Sequence, residues 1–537
     1  MPHPVAMTLQ QKRDFGTLDT ERIAYEGLAD IQAARSEVEA AGGMAALIVA
    51  IFQDYYRRSR KIPWLAKKAF EERDWRRAVD LSQERIAVYA IAVAKTREIL
   101  RLAIQERRTS GFWPAVEEHY DELSADLYEA DLARAFLDSV HRAVFEDAWT
   151  PSGDEGAGGR PATAERDFIQ RLDADGVMTP ALVAKLLLAP SLDAAFRDLE
   201  GDCKDVAERV NDELGLSDRN RLIRIEVAAA GFFRNRGAYV VGRLHRQVDG
   251  KAVPSPLSLA LLHGEDGVYV DAVILRETTL RHVFSSTLAN FHVTITAYHE
   301  LVDFLHGLMP TRPRGMHYST VGYNHVGKDA VMAQILGPDE LFDHAPGPRG
   351  SVAIGFTSPS RQYVLKIIRD KPTASYKWDQ FDGVESVLDK YRRVHELNRA
   401  GAMLDNIIYT NVPLPRALFS DDLLDDLMAE AETSISFHRD QVFFRHLIIQ
   451  RKLVPVPLYL ERCPPEAAEM VVVRLGQCIR NNAATNVFNK DLDGRNYGVT
   501  SLRFVNLFDY DAIEPLTDVK VRTNADREEG EEDIPDW

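Results

Sequence analysis

Three oxygen-bearing side chains near the end of the chain have the types and spacing of a phosphate-handling site. Asp491 is followed five residues later by Asn496, and Asp509 stands directly after an apolar run. A carboxylate can orient an attacking hydroxyl, while an amide and a second carboxylate can hold Mg²⁺ against the phosphates of a nucleotide. We therefore predict that these three side chains converge and that they serve phosphoryl transfer.

The same run also fits two simpler patterns. Positions one, three, five and six of a calcium-binding EF-hand loop would be filled by Asn489, Asp491, Asp493 and Gly494. The twelfth position is Thr500, however, where that loop needs a bidentate Glu, and the residues after it have a strand pattern instead of a helical one. A plain hairpin turn at Asp493-Gly494, with Asp491 merely solvated, stays open from this stretch alone.

Composition limits the classes of protein to which the chain can belong. It has 537 residues, of which 45% are apolar, so we predict at least two globular domains. A net charge of −17 argues against nucleic acid and anionic membranes as partners. No stretch is expected to approach the roughly 20 apolar residues of a membrane span. The three cysteines, Cys203, Cys463 and Cys478, lack metal-ligand spacing, so we expect a reducing, cytoplasmic location.

The first half is predicted to be mainly helical with a small inserted sheet. Apolar residues recur at helical spacing from about Thr17 to Glu146. The Gly- and Pro-rich segment Pro151 to Thr163 is predicted to be a flexible loop, after which helices resume. Strand-like runs between Leu222 and Val293 predict the sheet. We place the domain boundary so that 1–325 forms the helical domain and 326–537 carries the three polar residues.

In the second half, a Gly- and Pro-rich turn precedes two strand patterns. The turn, Ala345 to Ser351, would let backbone N–H groups approach phosphates, with Arg349 adding positive charge. Lys366 lies inside the second apolar strand, where a buried ammonium would need an anionic partner such as phosphate. An edge-strand Lys whose head reaches water is the simpler alternative. The following helix offers Glu385 or Glu396 as its ion-pair partner, and the sequence does not choose between them.

A further apolar strand leads to a segment that can bind a base. The run Phe443 to Gln450 has a buried-strand pattern, and Pro455 ends ladder pairing shortly after it. Backbone groups from Gln450 to Leu453 could hydrogen-bond adenine, although an ordinary strand-to-loop junction has the same pattern. The full order is Gly-rich turn, strand Lys, helix, strand with hinge, helix, catalytic Asp, Asn and metal Asp. This order is that of a bilobal protein kinase.

Six short motifs carry a closer resemblance. They are A-P-G-P-R-G-S at 345–351, L-K-I-I-R-D-K at 365–371, N-R-A-G-A-M-L-D at 398–405, R-H-L-I-I-Q-R-K-L-V-P at 445–455, R-N-Y-G-V-T at 495–500 and F-D-Y-D at 508–511. In these motifs the chain resembles the bacterial isocitrate dehydrogenase kinase/phosphatases. A looser likeness over A-F-E-E-R-D-W at 69–75 extends the resemblance into the helical half, so that it covers most of the chain.

The resemblance implies an α+β architecture, in which a mainly helical regulatory domain with the inserted sheet precedes a bilobal protein-kinase-like domain. It implies one site that phosphorylates isocitrate dehydrogenase on Ser, inactivating it, and that also removes the phosphate. This reaction pair would control flux between the tricarboxylic acid cycle and the glyoxylate bypass. The expected cofactors are ATP, ADP and Mg²⁺, with Mn²⁺ as an alternative metal and an AMP-type nucleotide as an effector. A homodimer is a further expectation.

The residue patterns and the resemblance together assign the nucleotide site. ATP binding is expected at Ala345, Pro346, Gly347, Pro348, Arg349, Gly350, Ser351, Lys366, Gln450 and Leu453. The resemblance also implies that Asp405 is needed for the phosphatase reaction. By its sequence context alone, Asp405 would be a capping or solvated carboxylate at the end of a helical pattern.

The catalytic roles follow from the chemistry of phosphoryl transfer. Asp491 is expected to orient the substrate hydroxyl and Lys366 to grip the α- and β-phosphates, while Asn496 and Asp509 hold Mg²⁺. Asp511 stands where protein kinases in general have Gly. It would either place a water or a second metal for dephosphorylation, or be a solvated turn carboxylate.

Two departures from the kinase pattern limit the likeness. Asn489-Lys490 takes the place of His-Arg before the catalytic Asp, so the support of this loop must differ. Only 26 residues follow Asp511, whereas members of the resembled family continue through further helices, so a shortened C-lobe is expected. The alternative functions are a pseudokinase scaffold that binds nucleotide without transfer, and a small-molecule kinase that shares the Asp-x4-Asn logic.

Overall fold

The computed structural model describes residues 20–104, 111–144, 168–284, 291–323, 326, 331–332, 335, 340–347, 349–373, 381–397, 401–438 and 440–519. The chain forms two compact units. The first comprises Met1–Ser285 and Ala289–Val331, and the second comprises Ser286–Leu288 and Met332–Trp537. The predicted loop from Pro151 to Thr163 lies outside the described residues.

Helices make up the first part of the first unit. They are α1 (Thr20–Ala33), α2 (Glu37–Ser59), α3 (Ile62–Glu71), α4 (Trp75–Ile104), α5 (Phe112–Ser124) and α6 (Ala130–Val144). Ser36 begins α2 by accepting a hydrogen bond from the Glu39 backbone N–H at 3.1 Å, which satisfies one of the free donors of the first turn. Phe52 of α2 packs against Phe136 of α6 with ring centroids 5.7 Å apart. The predicted helical region is therefore confirmed over its described residues.

One helical stretch in the described part of the chain, Glu37–Glu71, is long and apolar enough to cross a membrane by length and composition. The expectation that no stretch would approach this length and hydropathy was therefore wrong. Half of the apolar window is buried inside the protein, and Met44, Ile48 and Phe52 are fully buried in the core of the first unit. A core helix passes the same test, because a protein interior and a lipid bilayer select the same apolar residues.

The sheet of the first unit is larger than predicted. Its seven strands are β1 (Ile169–Gly176), β2 (Asn220–Ala228), β3 (Phe232–Arg234), β4 (Gly237–Val248), β5 (Lys251–His263), β6 (Val268–Ile274) and β7 (His292–Val293). Helices were predicted to resume after residue 163. The structure differs, because β1 comes before the next two helices. The strand β1 was missed since its sequence, IQRLDADG, is mostly polar and partly exposed, and its place in the sheet comes from antiparallel pairing with β2.

Five shorter helices follow within the described residues of the first unit: α7 (Pro180–Leu187), α8 (Leu199–Leu214), α9 (Glu277–Val283), α10 (Tyr298–Leu308) and α11 (Arg314–Thr320). Within the described residues, α7 and α8 lie between β1 and β2 in the chain and pack on a second apolar cluster of this unit through Leu186, Val206 and Val210.

The second unit begins with an antiparallel sheet that positions Lys366. Its strands are β8 (Asp343–His344), β9 (Ala353–Thr357), β10 (Tyr363–Ile368), β11 (Asn406–Pro415), β12 (Ile435–His438) and β13 (Gln441–Arg451), and its helices are α12 (Val384–Arg392), α13 (Val394–Leu397) and α14 (Asp421–Glu430). The strand order is β11-β13-β10-β9-β8, with β12 on the free side of part of β13. Lys366 therefore lies on an interior strand, opposite Gly355 and Ile448, and not on a sheet edge.

The rest of the second unit combines short strands with helices. It contains β14 (Val454–Pro455), α15 (Val456–Leu460), α16 (Pro465–Ala484), β15 (Val487–Asn489), β16 (Tyr497–Val499), β17 (Val505–Leu507) and β18 (Ile513–Pro515). The antiparallel hairpin of β16 and β17 and the pairing of β15 with β18 hold the functional loops between them. With a mainly helical region and an inserted sheet in the first unit and mixed sheets and helices in the second, the predicted α+β class is confirmed.

Candidate active site

A cavity of about 920 Å³ in the second unit collects most of the residues that the sequence singled out. Its walls come from the Gly-rich turn, β10, the end of β13, the loop before β16 and the turn after β17. The predicted residues that line it are Ala345, Pro346, Arg349, Gly350, Ser351, Lys366, Gln450, Leu453, Asp491, Asn496, Asp509 and Asp511. Residues as far apart in the chain as Ala345 and Asp511 thus share one cavity, because the sheet and the two hairpins fold back on one another.

Two of the described predicted residues, Gly347 and Asp405, do not line this cavity. Gly347 has a φ of +119° and open space beyond its α-carbon, a backbone conformation that favours glycine. Pro348 lies outside the described residues. Asp405 directly precedes β11 and does not end a helix as its context suggested, since α13 ends at Leu397. Its carboxylate lies near the buried Tyr510 phenol and contributes to the raised pKa of that group.

The catalytic loop, Asn489–Asn496, is held by two amide side chains. Asn489, which is 5% exposed, donates from Nδ2 to the Asp491 carbonyl at 2.9 Å and accepts from the Asp491 N–H at 3.2 Å. Asn496 donates from Nδ2 to the Asp491 carboxylate at 2.9 Å and to its carbonyl at 3.0 Å. The buried Asn489 amide therefore supports the loop from the position where the kinase pattern has His.

The hairpin of β16 and β17 brings the metal turn, Phe508–Asp511, next to the catalytic loop. Tyr497 pairs with Leu507, and the Phe508 N–H donates to the Asn496 carbonyl at 3.0 Å. This contact joins the end of one segment to the start of the other. As predicted, Asp491, Asn496 and Asp509 therefore face a common cavity.

Lys366 is buried between an aromatic pair and donates to two neutral oxygens. Its ammonium donates to the Phe508 carbonyl at 3.1 Å and to the Tyr391 hydroxyl at 3.3 Å. It also lies over the Phe508 ring, 5.2 Å from the centroid, and over the Tyr391 ring at 5.5 Å. Burial lowers the pKa of Lys366, while the charges of Asp509 and Asp511 act in the opposite direction.

The ion pair expected between Lys366 and a helical Glu is not formed by Glu385. Glu385 of α12 instead forms an ion pair with Arg392, two turns further along the same face of the helix. The side chain of Glu396 lies outside the described residues. Among the described residues no carboxylate forms an ion pair with Lys366, so its counter-charge comes at longer range from the metal turn.

The carboxylate of Asp511 differs in its environment from an exposed turn residue. Burial, followed by the nearby charge of Asp509, raises the pKa of Asp511 to about 7, while Lys366 and Lys390 act to lower it. The Lys390 ammonium donates to the Asp511 carbonyl. The position of the Asp511 carboxylate in the cavity wall favours a functional role. It argues against the alternative that the sequence left open, a solvated turn residue.

The Gly-rich turn carries a positive charge that already has partners. Arg349 forms ion pairs with Asp426 at 2.8 Å and Asp422 at 3.5 Å, both on α14. His344 also contacts Asp426, at 2.8 Å. Arg349 is therefore tied to α14 in this structure, although it still lines the cavity.

The end of β13 forms the side of the cavity expected to receive a base. Gln450 is 2% exposed, and neither atom of its amide has a hydrogen-bond partner among the described residues. Leu453 follows and lies against Gly498, where an added β-carbon would come within 2.5 Å of the Leu453 side chain. Only glycine allows β16 to approach the cavity wall this closely.

The donor set suits a magnesium nucleotide. The described residues contain no cluster of three or more His, Cys, Asp or Glu side chains that could hold a metal. Mg²⁺ bound by one carboxylate, one amide and phosphate oxygens requires no such cluster. Asn496 and Asp509 provide that minimal oxygen set beside Lys366.

Sequence reasoning missed two residues of this site, Lys390 and Tyr391, both on the last turn of α12. Tyr391 donates to an Asp509 carboxylate oxygen at 3.1 Å, and Lys390 reaches the Asp511 carbonyl. Nothing in the sequence near either residue signals this role. Helical periodicity shows only that Tyr391 belongs on a buried face.

Comparisons with known proteins agree with the site. A model of the isocitrate dehydrogenase kinase/phosphatase (AceK) regulatory domain matches residues 45–338, and one of the AceK kinase domain matches residues 340–536. The isocitrate dehydrogenase kinase/phosphatase of Rhodopseudomonas palustris (strain HaA2) is 46% identical over 490 residues, which are 89% of this chain and 81% of that protein. The protein of the same name from Anaeromyxobacter dehalogenans (strain 2CP-C) is 32% identical over 492 residues, 90% of this chain and 82% of its own length. The chain belongs to the isocitrate dehydrogenase kinase/phosphatase family.

Proposed function

We propose that this chain is an ATP-dependent kinase that phosphorylates isocitrate dehydrogenase on Ser and a phosphatase that removes the phosphate. The observation that carries the proposal is the convergence of Lys366, Asp491, Asn496 and Asp509 on one cavity of about 920 Å³. This volume is of the size that a nucleotide-sized ligand occupies. The names of the relatives supply the protein substrate, which the cavity alone does not identify.

Each residue has a role that its geometry supports. Asp491, with one carboxylate oxygen engaged by Asn496, would receive the Ser hydroxyl and orient it toward the γ-phosphate. Lys366 would contact the α- and β-phosphates from the opposite wall, and Asn496 with Asp509 would hold Mg²⁺. Bound Mg²⁺ neutralises the charge of the phosphate oxygens. The Gly-rich turn from Ala345 to Ser351 and the wall at Gln450 and Leu453 would enclose the nucleotide.

The phosphatase reaction requires residues that can act on a bound phosphoprotein. Asp511 faces the same cavity and holds a proton near neutral pH, because burial raises its pKa to about 7. It can therefore exchange a proton with water or with a leaving hydroxyl. We assign Asp405 the accessory role that the family resemblance implies, although it stands behind the cavity wall at Leu404.

The remaining assignments concern the whole chain. We propose that 1–325 is the regulatory domain and 326–537 the catalytic domain, in a cytoplasmic protein that switches flux between the tricarboxylic acid cycle and the glyoxylate bypass. ADP would support the phosphatase direction, an AMP-type nucleotide would act as effector, Mn²⁺ would replace Mg²⁺, and the protein would be a homodimer. The absence of disulfides among the three free cysteines supports a reducing compartment.

The experiment uses purified isocitrate dehydrogenase with Mg²⁺ and ATP, following the mass and the activity of the dehydrogenase. We expect one phosphate to be added with loss of dehydrogenase activity, and to be removed when ADP replaces ATP. Asp491→Ala should abolish the transfer, while Asp518→Ala, which changes an exposed carboxylate in the same part of the chain, should not.

The outcome separates the alternative functions. Tight ATP binding without any phosphate transfer would support the pseudokinase scaffold and contradict the proposal. Transfer to small hydroxyl compounds but not to isocitrate dehydrogenase would support the small-molecule kinase.

A further inference from the structure

The phenol of Tyr391 lies at the point where the phosphate-gripping lysine and the metal-binding carboxylate meet. Its hydroxyl oxygen is 3.3 Å from Lys366 Nζ and 3.1 Å from an Asp509 carboxylate oxygen. The side chain is 1% exposed and contacts Tyr510 edge-on, with ring centroids 4.9 Å apart. The backbone carbonyl of Tyr391 accepts from the buried Asn406 amide at 3.0 Å. The residue is thus fixed at both its backbone and its ring.

The direction of each hydrogen bond is determined by the chemistry of the partners. An ammonium can only donate, so Lys366 donates to the phenol oxygen. An ionised carboxylate can only accept, so the single phenol proton goes to Asp509. The phenol thus accepts from Lys366 and donates to Asp509, which fixes the side chains of both residues relative to each other.

No other side chain of α12 takes this place. Glu385 is engaged by Arg392, and Lys390, the neighbour of Tyr391, reaches the Asp511 carbonyl instead. The last turn of α12 therefore contacts the metal turn at two successive residues. A helix that moved away from the sheet would release Lys366 and Asp509 together.

We propose that Tyr391 is a positioning residue that holds Lys366 and Asp509 in their working geometry, in the place where a glutamate would form an ion pair in other kinases. This inference rests on the proposed function, since it presumes that both residues handle a magnesium nucleotide. A neutral phenol leaves the full lysine charge available to phosphates, which a carboxylate partner would partly cancel. The phenol hydroxyl also links Lys366 to Asp509, because it accepts from one and donates to the other.

The test replaces Tyr391 by Phe in the full chain, which removes the hydroxyl and keeps the ring. We expect the rate of phosphate transfer to fall about tenfold or more, because preorganised contacts to the phosphates and the metal are lost. The Mg²⁺ concentration that gives half-maximal rate should rise severalfold, while the melting temperature stays within a few degrees of the parent. Tyr120→Phe is the matched control, because it removes a buried phenol that donates to a backbone carbonyl in the first unit.

Two further measurements keep the inference open to refutation. Affinity for a fluorescent ATP analogue, measured against Mg²⁺ concentration, reports the effect on the site even if the parent transfers no phosphate, so failure of the proposed function is recognised separately. Tyr391→His keeps a ring with one donor and one acceptor nitrogen and should recover part of the rate and of the Mg²⁺ dependence. A folded Tyr391→Phe variant with unchanged rate and unchanged Mg²⁺ dependence would overturn the inference. Equal losses in Tyr391→Phe and Tyr120→Phe would overturn it as well.

Discussion

The two segments that carry the acidic residues of the site are held in place by different kinds of contact. The catalytic loop is held from within, since Asn489 and Asn496 bond to Asp491 from two and five residues away. The metal turn is held from outside, since Lys390 and Tyr391 bond to it from 121 and 118 residues away. One segment is a local structure and the other is a product of the tertiary fold.

This difference has consequences for the chemistry of the carboxylates. In the metal turn, burial and a neighbouring carboxylate raise the pKa of Asp511 to about 7, and the compensating ammonium groups come from distant elements. In the catalytic loop, by contrast, the two side chains that contact Asp491 are neutral amides, which hold it by hydrogen bonds without adding charge. We therefore expect the metal turn to set the proton affinity of the site and the catalytic loop to fix the position of Asp491.

Removing the local support should have the largest effect. Asn489→Ala deletes both amide contacts to the Asp491 backbone and leaves the part-buried Asp491 N–H without this partner, which costs about 1–3 kcal/mol of folding stability. Because one of the two amides that hold Asp491 would be missing, we expect the transfer rate to fall about 100-fold. Steady-state kinetics and urea unfolding on the same samples give both values.

Asn506→Ala provides the comparison for this variant. Its amide donates to the Gly401 carbonyl at 2.8 Å at an exposed site away from Asp491. It should lose less than threefold in rate. If both variants lose the same rate, the catalytic loop does not owe its geometry to Asn489.

The second prediction concerns pH and the metal turn. Asp511 has a pKa raised from 3.8 to about 7 in the folded chain, so the folded state binds its proton more tightly than the unfolded state does. The stability that this group contributes is complete below about pH 4 and is lost as the pH rises through about 7. In Asp511→Asn this titration is absent, so the free energy of unfolding of the variant should rise relative to that of the parent between about pH 4 and pH 7.

The measurement is chemical unfolding at several pH values with a chelator present, so that no metal competes with the proton. In Asp518→Asn, which changes an exposed carboxylate, the free energy of unfolding should vary with pH as it does in the parent. A pH-independent difference between Asp511→Asn and the parent would show that Asp511 is ionised throughout. The metal turn would then have no unusual proton affinity, and the contrast with the catalytic loop would disappear.

The same contrast explains what the sequence could and could not predict. The spacing of Asp491 and Asn496, the strand around Lys366 and the approach of Asp509 depend on residues close in sequence, and the structure places them together in the cavity. Tyr391 and Lys390 were missed because a helical pattern reveals a buried face but not the segment that packs on it. The sequence left Glu385 and Glu396 open as the lysine partner for the same reason, and in the structure Glu385 forms an ion pair with Arg392 on its own helix instead.

The smallest predicted effect tests two properties of a contact separately: the distance in sequence between its partners, and their burial. In the comparison of the two segments these properties vary together. Arg349 and Asp426 are 77 residues apart and form an ion pair at 2.8 Å, yet the Arg349 side chain is 57% exposed. An exposed pair contributes about 0–1 kcal/mol, because water screens both charges. Arg349→Gln should therefore change the unfolding free energy by less than about 1 kcal/mol and the dissociation constant for ATP by less than about threefold. A tenfold loss of ATP affinity at unchanged stability would instead show that Arg349 leaves Asp426 to bind phosphate. A small effect would mean that a distant contact has a large influence on this site only when it is buried, as at Tyr391.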